Sequence, residues 1–296
     1  MRILVTGSEG LIGSELASSL TDSGVDVRRF DLKRTTDEDI RNVSAIRTAL
    51  ANVDGVVHLA AVSRVLWGET DTVRCQDTNV RALNHLIQEM IATKMRPWLL
   101  FASSREVYGE AKSFPVNEDF PLQPLNEYAR TKVEGESLVL AAREYIVANI
   151  CRFSTVYGST RDHIDRLMPA FASVAARGGT LRVDGNDNFV DCTHVEDVCR
   201  GLITVASMSN DGDDLPPIHF VSGVPSRLGE LAKLAERCSR KSVSIQQSTS
   251  RAFDVSQFVG DGARAQRLLG WKATTPLEQG FRRLVDSFCE VSTDRS

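Results

Sequence analysis

The chain predicts an α/β fold built on a parallel sheet with helices on both faces, and three observations carry that expectation. Apolar strand-like runs alternate with helical patterns through the first half of the 296 residues, the rhythm of βαβ units. Runs such as "PWLLFA" at 97–102 are apolar without alternation, as strands covered on both sides are. The first run, "RILVT", leads directly into "GSEGLIG", with glycine at 7, 10 and 13.

The elements follow in order. "RILV" reads as strand, a helix begins near Leu11, and "VDVRRF" is the next strand. "VDGVVHLA" precedes the long amphipathic segment "NVRALNHLIQEMIA", after which "PWLLFAS" is a buried strand. "YARTKVEGESLVLAAREY" is helical and "IVANICRF" returns to strand. The rhythm breaks after about Gly158, where polar "STRDHIDR" leads into a helix, a short "TLRV" strand and the loop "DGNDN". "HVEDVCRGLITVAS" is a further helix that returns to the main layer, and short strands and helices follow from "DDLPP" onward. This pattern assigns residues 1–160 and 186–212 to a dinucleotide-binding domain, and 161–185 and 213–296 to a smaller substrate lobe. No internal repeat or low-complexity tract is visible.

Composition narrows the class. The chain is 42% hydrophobic and 25% charged, an ordinary soluble balance. Its net charge of -4, without a basic block, excludes the electrostatic footprint of a nucleic-acid binder. No apolar stretch approaches the roughly 20 residues of a membrane span, and "MRILVTG" reads as a strand rather than a signal peptide. Six scattered cysteines without C-x-x-C pairs read as reduced packing residues of a cytoplasmic protein and hold no zinc-ligand spacing.

Three glycines in seven positions call for a reason, since glycine costs about 0.5–1 kcal/mol against alanine inside regular structure. A helix N-terminus exposes unpaired N–H groups and a partial positive charge that suit a pyrophosphate. Gly7 can make the tight turn, Gly10 lets backbone approach phosphate, and Gly13 allows close packing of the helix. The spacing is G-x-x-G-x-x-G rather than the common G-x-G-x-x-G. Asp31 ends the second strand, 18 residues after Gly13, where a carboxylate can accept from ribose hydroxyls and repel a 2′-phosphate. That favours NAD, with Lys33 and Arg34 leaving NADP as the less favoured alternative.

Tyr128 and Lys132 lie four apart in a helical segment and share a face. A free phenol, with pKa about 10, is a poor base at neutral pH. A nearby ammonium and a cationic nicotinamide would lower that value, letting the phenolate take a proton from a hydroxyl as its carbon gives up hydride. Ser103 and Ser104 emerge at the end of the "WLLFA" strand, on the carboxyl edge of the sheet where ligands bind in this architecture. They can also be read as small turn residues, and the tyrosine–lysine pair as surface decoration.

These motifs together resemble the NAD-dependent sugar-nucleotide epimerase/dehydratase family, the extended short-chain dehydrogenase/reductases such as UDP-glucose 4-epimerase. The matching residues are "TGSEGLIG" at 6–13, "HLAA" at 58–61, "NV" at 79–80, "SSREVYG" at 103–109, "YARTK" at 128–132, "RFSTVYG" at 152–158, "HVEDV" at 194–198, and "RAFD" and "LLGW" near the end. The resemblance implies a Rossmann-type doubly wound parallel sheet with a smaller C-terminal substrate lobe. It implies Ser104, Tyr128 and Lys132 as catalytic residues and no metal. Gly7, Gly10, Leu11, Ile12, Asp31, Asp39, Ile40, Leu59, Ala60 and Ala61, with Tyr128 and Lys132, would hold NAD. Ser63, Arg64, Ser104, Arg105, Thr155 and Arg251 would meet a sugar or nucleotide-sugar substrate. The family is usually dimeric through two helices, here those holding 79–93 and 128–145.

The departures bear on the reaction. Related 4,6-dehydratases typically carry Thr-Asp-Glu before V-Y-G, the aspartate donating a proton during water loss. Here the positions read Ser104, Arg105 and Glu106, and arginine cannot donate at neutral pH. Some relatives manage with the glutamate alone. Val190 stands where nucleotide-sugar members often place a diphosphate-binding arginine, whereas Arg251 and Asp254 match a second such position. Trp67, Arg161 and His163, with Arg64, are candidates for substrate identity, while His58 and His194 fall to structure. The expected activity is therefore epimerisation by transient oxidation of a secondary hydroxyl. Dehydratase, decarboxylase or reductase chemistry is the alternative, and a non-catalytic dinucleotide sensor the remote one.

Overall fold

The computed structural model describes residues 1–249 and 255–293. Along the chain run β1 (Arg2–Thr6), α1 (Leu11–Asp22), β2 (Asp26–Phe30), α2 (Val43–Ala49), β3 (Gly55–His58), α3 (Val65–Thr70), α4 (Thr72–Gln76), α5 (Ala82–Ala92), β4 (Trp98–Ser104), α6 (Glu127–Ala142) and β5 (Ala148–Phe153). There follow β6 (Thr155–Tyr157), α7 (Leu167–Arg177), β7 (Gly179–Asp184), β8 (Phe189–His194), α8 (Val195–Asn210), β9 (Ile218–Phe220), β10 (Pro225–Arg227), α9 (Leu228–Cys238), β11 (Val243–Ser248), α10 (Ala263–Leu269) and α11 (Leu277–Thr293).

Six strands form one parallel sheet in the order β2-β1-β3-β4-β5-β9. Side chains alternate across a strand, and both faces are covered. Ile3, Val5, Val57 and Leu100 join α1 and α8 on one face, through Leu16, Leu20, Val198 and Leu202. Leu4, Val56, Leu99 and Ile150 meet α2, α5 and α6 on the other, through Ile46, Leu83, Leu86 and Val139. This double coverage explains why "PWLLFA" shows no polar alternation. Connections reverse direction at β1 and β3, so the crevice beyond their carboxyl ends is where such a sheet binds ligands.

The smaller layer holds a separate core of Phe171, Leu181, Leu231, Phe281 and Leu284, drawn from α7, β7, α9 and α11. The boundaries differ from the sequence pattern in two places. Residues 218–220, which the pattern assigns to the small lobe, form β9 on the edge of the large sheet. Ala265 and Trp271 pack with Phe220 in the large core, and the Phe220 and Trp271 rings meet edge-on at 4.8 Å. β8, assigned to the large domain, instead pairs with β6 and β10 in a three-stranded sheet of its own. Short strands lack the length to declare their sheet, and long-range apolar packing chooses it.

The glycine stretch is sterically tight. Gly7 has φ +70, and a Cβ on it would lie 2.7 Å from the Ala60 nitrogen. A Cβ on Gly13 would lie 2.1 Å from the Gly7 carbonyl oxygen, so this glycine lets α1 press against the loop itself. Gly13→Ala should lower the unfolding free energy by about 1–3 kcal/mol, read as a lower urea midpoint at unchanged slope. An unchanged midpoint would remove this close approach as a constraint on the fold.

Candidate active site

A continuous cleft runs along the carboxyl edge of the large sheet and under the segment 159–166. At one end Gly10 stands as the N-cap of α1, with no side-chain cap and no acidic residue in the first turn. The leading N–H groups of this helix thus remain available for an anion, and Leu11 and Ile12 border the cleft there. The Asp31 carboxylate lies at the end of β2, accepting from the Glu9 nitrogen at 2.9 Å and the Lys33 nitrogen at 2.8 Å. These bonds fix its orientation beside the glycine loop. Asp39, Ile40, Ala60 and Ala61 line the same end. Asp39 is bound by Arg41, Nη2 to Oδ2 at 2.6 Å, which holds its carboxyl below the usual range. Leu59 follows β3, its nitrogen donating to the Thr6 carbonyl at 3.1 Å. This floor, built of small side chains, an oriented carboxylate and an uncapped helix end, fits a dinucleotide.

At the middle of the cleft the strand end separates two adjacent serines. Ser103 points inward, its hydroxyl donating to Glu136 Oε1 at 2.5 Å. Ser104 lines the cleft with Tyr128, and its hydroxyl accepts from the Glu106 nitrogen at 3.2 Å. Alternation along β4 turns the two hydroxyls to opposite sides, leaving Ser103 buried and Ser104 partly open. Tyr128 and Lys132 come from α6, which Asn126 starts by accepting from the Ala129 nitrogen at 2.8 Å.

Lys132 departs from the simplest expectation. Its ammonium donates to the Ala102 carbonyl at 2.7 Å and lies 5.7 Å from the centre of the Tyr128 ring. Burial lowers its pKa to about 8. Burial pushes Tyr128 up to about 12, and the leading influence that opposes this is the Arg166 charge, followed by the Ser104 hydroxyl. Arg166 is a residue that motif spacing missed. Its guanidinium donates to the Ser63 carbonyl and hydroxyl, both at 2.8 Å, and pairs with Asp162 at 3.4 Å. Asn79, whose "NV" match gave no role, ties the cleft wall to α6, exchanging bonds with the Val62 backbone and donating to Thr131 at 2.9 Å.

Behind the site lies a buried network. Arg152 of β5 makes two bonds to Glu136 of α6, at 2.8 and 2.6 Å, and donates to the Tyr108 hydroxyl at 2.6 Å. Tyr108 in turn meets His219 at 2.6 Å. His58 is buried against Thr6 at 2.9 Å, and burial lowers its pKa to about 3. His194 caps α8 by accepting from the Glu196 nitrogen at 3.3 Å. These two serve packing and capping.

At the other end of the cleft stand Ser63, Arg64, Arg105 and Thr155, with Val190 beside them. Arg64 is held by Asp165 and leans over Trp67. Trp67, Arg161 and His163, candidates for substrate identity, gather instead at the dinucleotide end. Trp67 meets His163 edge-on at 4.6 Å, and Arg161 reaches Glu9 of the glycine loop at 3.4 Å. Arg251 and Asp254 lie outside the described residues. Among the described residues no group of acidic, histidine or cysteine side chains has a metal-binding arrangement.

Residues 3–220 match the model of the NAD dependent epimerase/dehydratase family. The chain belongs to that family. It is similar to the low-salt glycan biosynthesis protein Agl12 of Haloferax volcanii, 29% identical over 97% of this chain and 98% of that one. It is also similar to the UDP-glucose 4-epimerase of Bacillus subtilis, 27% identical over 94% of each. MoeE5, solved in complex with UDP-glucuronic acid and NAD, superposes with a TM-score of 0.89 at 26% identity, covering 99% of this chain and 100% of that one. The same protein was solved with UDP-glucose and NAD.

Tyr128→Phe should cut turnover by about 10²–10⁴, the usual weight of a positioned acid–base group, while NAD binding measured by calorimetry stays in the parent's range. A turnover within threefold of the parent would remove Tyr128 from the chemistry. Because Arg166 lends its positive charge to the phenolate form, Arg166→Met should raise the Tyr128 pKa. The rising limb of kcat/KM then moves to higher pH, with Arg166→Lys moving less. An unmoved limb would mean that Arg166 does not tune the base.

Proposed function

We propose that the protein is an NAD-dependent nucleotide-sugar epimerase, in which Ser104, Tyr128 and Lys132 handle a secondary hydroxyl of the sugar. One observation carries this reading: Ser104, Tyr128 and Lys132 line one cleft together with Gly7, Gly10, Leu11 and Ile12 of the dinucleotide cradle. When bound, NAD would supply a reversible hydride acceptor for the carbon that bears this hydroxyl. Gly7, Gly10, Leu11, Ile12, Asp31, Asp39, Ile40, Leu59, Ala60 and Ala61 would hold it.

Ser104 orients the sugar hydroxyl, and Tyr128 takes its proton and later gives it back. Burial alone disfavours the phenolate, so positive charge near the ring sets how readily Tyr128 acts as a base. Arg166 supplies part of that charge, and Lys132, anchored on Ala102, stands ready on the same helix face. Ser63, Arg64, Arg105 and Thr155 line the sugar end, and Arg251 belongs to the same expected set.

Elimination chemistry fits less well. The residue after Ser104 is Arg105, which stays protonated. Both Glu106 oxygens are engaged as acceptors, Oε1 from Arg105 at 3.0 Å and Oε2 from Asn126 at 3.2 Å. Neither residue is free to deliver a proton to a leaving hydroxyl.

The division into a dinucleotide domain and a substrate lobe follows the two cores, with β9 and α10 on the dinucleotide side. Exposed Leu140 on α6 and Tyr145 just beyond its end, at 45% and 52% exposure, support pairing of two copies through α5 and α6. No helix among the described residues is long and apolar enough to cross a membrane. The six free cysteines, four of them buried, support a reducing, cytoplasmic setting.

Incubation with UDP-linked hexoses without added NAD should give an epimer of unchanged mass and no accumulated NADH. Net NADH formation would mark a dehydrogenase, and a product lighter by one water a dehydratase.

A further inference from the structure

Resting on the nucleotide-sugar reading, we infer that the sugar carries a carboxylate close to its reacting carbon and that Arg105 is the residue that recognises it.

Four arginines line the outer part of the cleft, Arg64, Arg105, Arg166 and Arg182. Three have their charge answered within the protein: Arg64 by Asp165, Arg166 by Asp162 and Ser63, and Arg182 by Asp184 at 2.7 Å. Arg105 is paired as well, but one of its nitrogens is left over. Its Nη2 lies 3.0 Å from Glu106 Oε1, while its Nη1 is fully buried and has no acceptor among the described residues. Trp98 Nε1 and Asp162 Oδ2 are the other buried side-chain atoms in that condition, and Asp162 borders the same cleft. Two of the three unanswered atoms thus belong to one site and have opposite needs, Arg105 for an acceptor and Asp162 for a donor.

A guanidinium cannot relieve its need by losing a proton. A ligand that brings an acceptor does so, and a charged acceptor forms bonds roughly twice as strong as a neutral one. The group is also held in place. Its carbon lies 5.6 Å from the centre of the Phe258 ring, itself 1% exposed, and its partner Glu106 is fixed by Asn126. Fixed, buried donors reject ligands that leave them unpaired.

Position identifies which part of the substrate is read. Arg105 follows Ser104 directly, and it borders both the pocket containing Tyr128 and the adjoining outer pocket. A substituent next to a hydroxyl held by Ser104 and Tyr128 would come within the part of the cleft that Arg105 lines. Charge points the same way. Around the outer pocket Arg64, Arg105, Arg166 and Arg182 face Glu106, Asp165 and Asp184, one positive charge in excess. A hexuronic acid supplies a carboxylate where a neutral hexose has a hydroxymethyl group.

The test compares glucuronate and glucose as UDP- and dTDP-linked pairs on NAD-loaded protein. Dissociation constants come from calorimetry, and kcat/KM from formation of a product of unchanged mass. The uronate member should bind about 10- to 100-fold more tightly than its neutral partner, the range for a hydrogen bond to a charged group. Arg105→Gln should erase that difference, and Arg105→Lys should restore part of it. Equal or better handling of the neutral sugar by the parent protein overturns the proposal without needing any variant to fold. A loss in Arg105→Gln that falls equally on both sugars and on free UDP also overturns it, marking Arg105 as a diphosphate contact. If the parent binds none of the four nucleotide sugars, the nucleotide-sugar reading itself fails, a result distinct from equal handling of the two sugars.

Discussion

The site depends on the buried pair between Arg152 and Glu136, whose side chains are 5% and 4% exposed. Glu136 lies one helical turn beyond Lys132 and two beyond Tyr128, so whatever holds Glu136 sets the rotation and depth of α6. Arg152 holds it from β5, and Ser103 holds it from β4. Three elements therefore meet on one carboxylate. Burying two charges costs several kcal/mol in desolvation, and such a pair earns stability only when its hydrogen bonds are well satisfied. Here both carboxylate oxygens and all three guanidinium nitrogens have partners or lie against Tyr108. The geometric result is a fixed register between the strand end carrying Ser104 and the helix carrying Tyr128.

That register explains the division of labour between neighbouring residues. Ser103 serves the interior and Ser104 the cleft because successive side chains on a strand leave opposite faces. Lys132 is drawn to the Ala102 carbonyl at the same strand end. The tyrosine and lysine thus share a helix face without the ammonium touching the phenol. Cationic support for Tyr128 arrives from a different direction, through Arg166 on the segment that covers the cleft. The same segment is pinned at several points, by Arg166 on Ser63, by Asp165 on Arg64, by His163 against Trp67 and by Arg161 near Glu9. These contacts join the roof of the cleft to its floor.

Electrostatics in the cleft is one of near balance with two exceptions. Most arginines there are matched by a carboxylate a few residues away or across the gap. Matched pairs fix shape and leave little net field. Arg105 and Asp162 each retain a buried atom without a protein partner, and buried polar atoms in native proteins rarely go unanswered.

The sequence alone determined the features that depend on local spacing. Glycines at fixed intervals after an apolar run, a carboxylate at the end of the next strand, and a tyrosine and lysine four apart each lie within one element or one turn of chain. Backbone geometry converts such spacing directly into position, so the placement of Gly7, Gly13, Asp31, Ser104, Tyr128 and Lys132 along one cleft was legible. Tertiary structure decided what depends on partners far along the chain. It put β9 and α10 on the large sheet, gave Lys132 a carbonyl instead of a phenol, brought Arg166 toward Tyr128, and drew Arg161 and Trp67 to the dinucleotide end. It also left one nitrogen of Arg105 unanswered. Long side chains reach several ångströms in many directions, and only the packing of segments distant in sequence selects which partner each one meets.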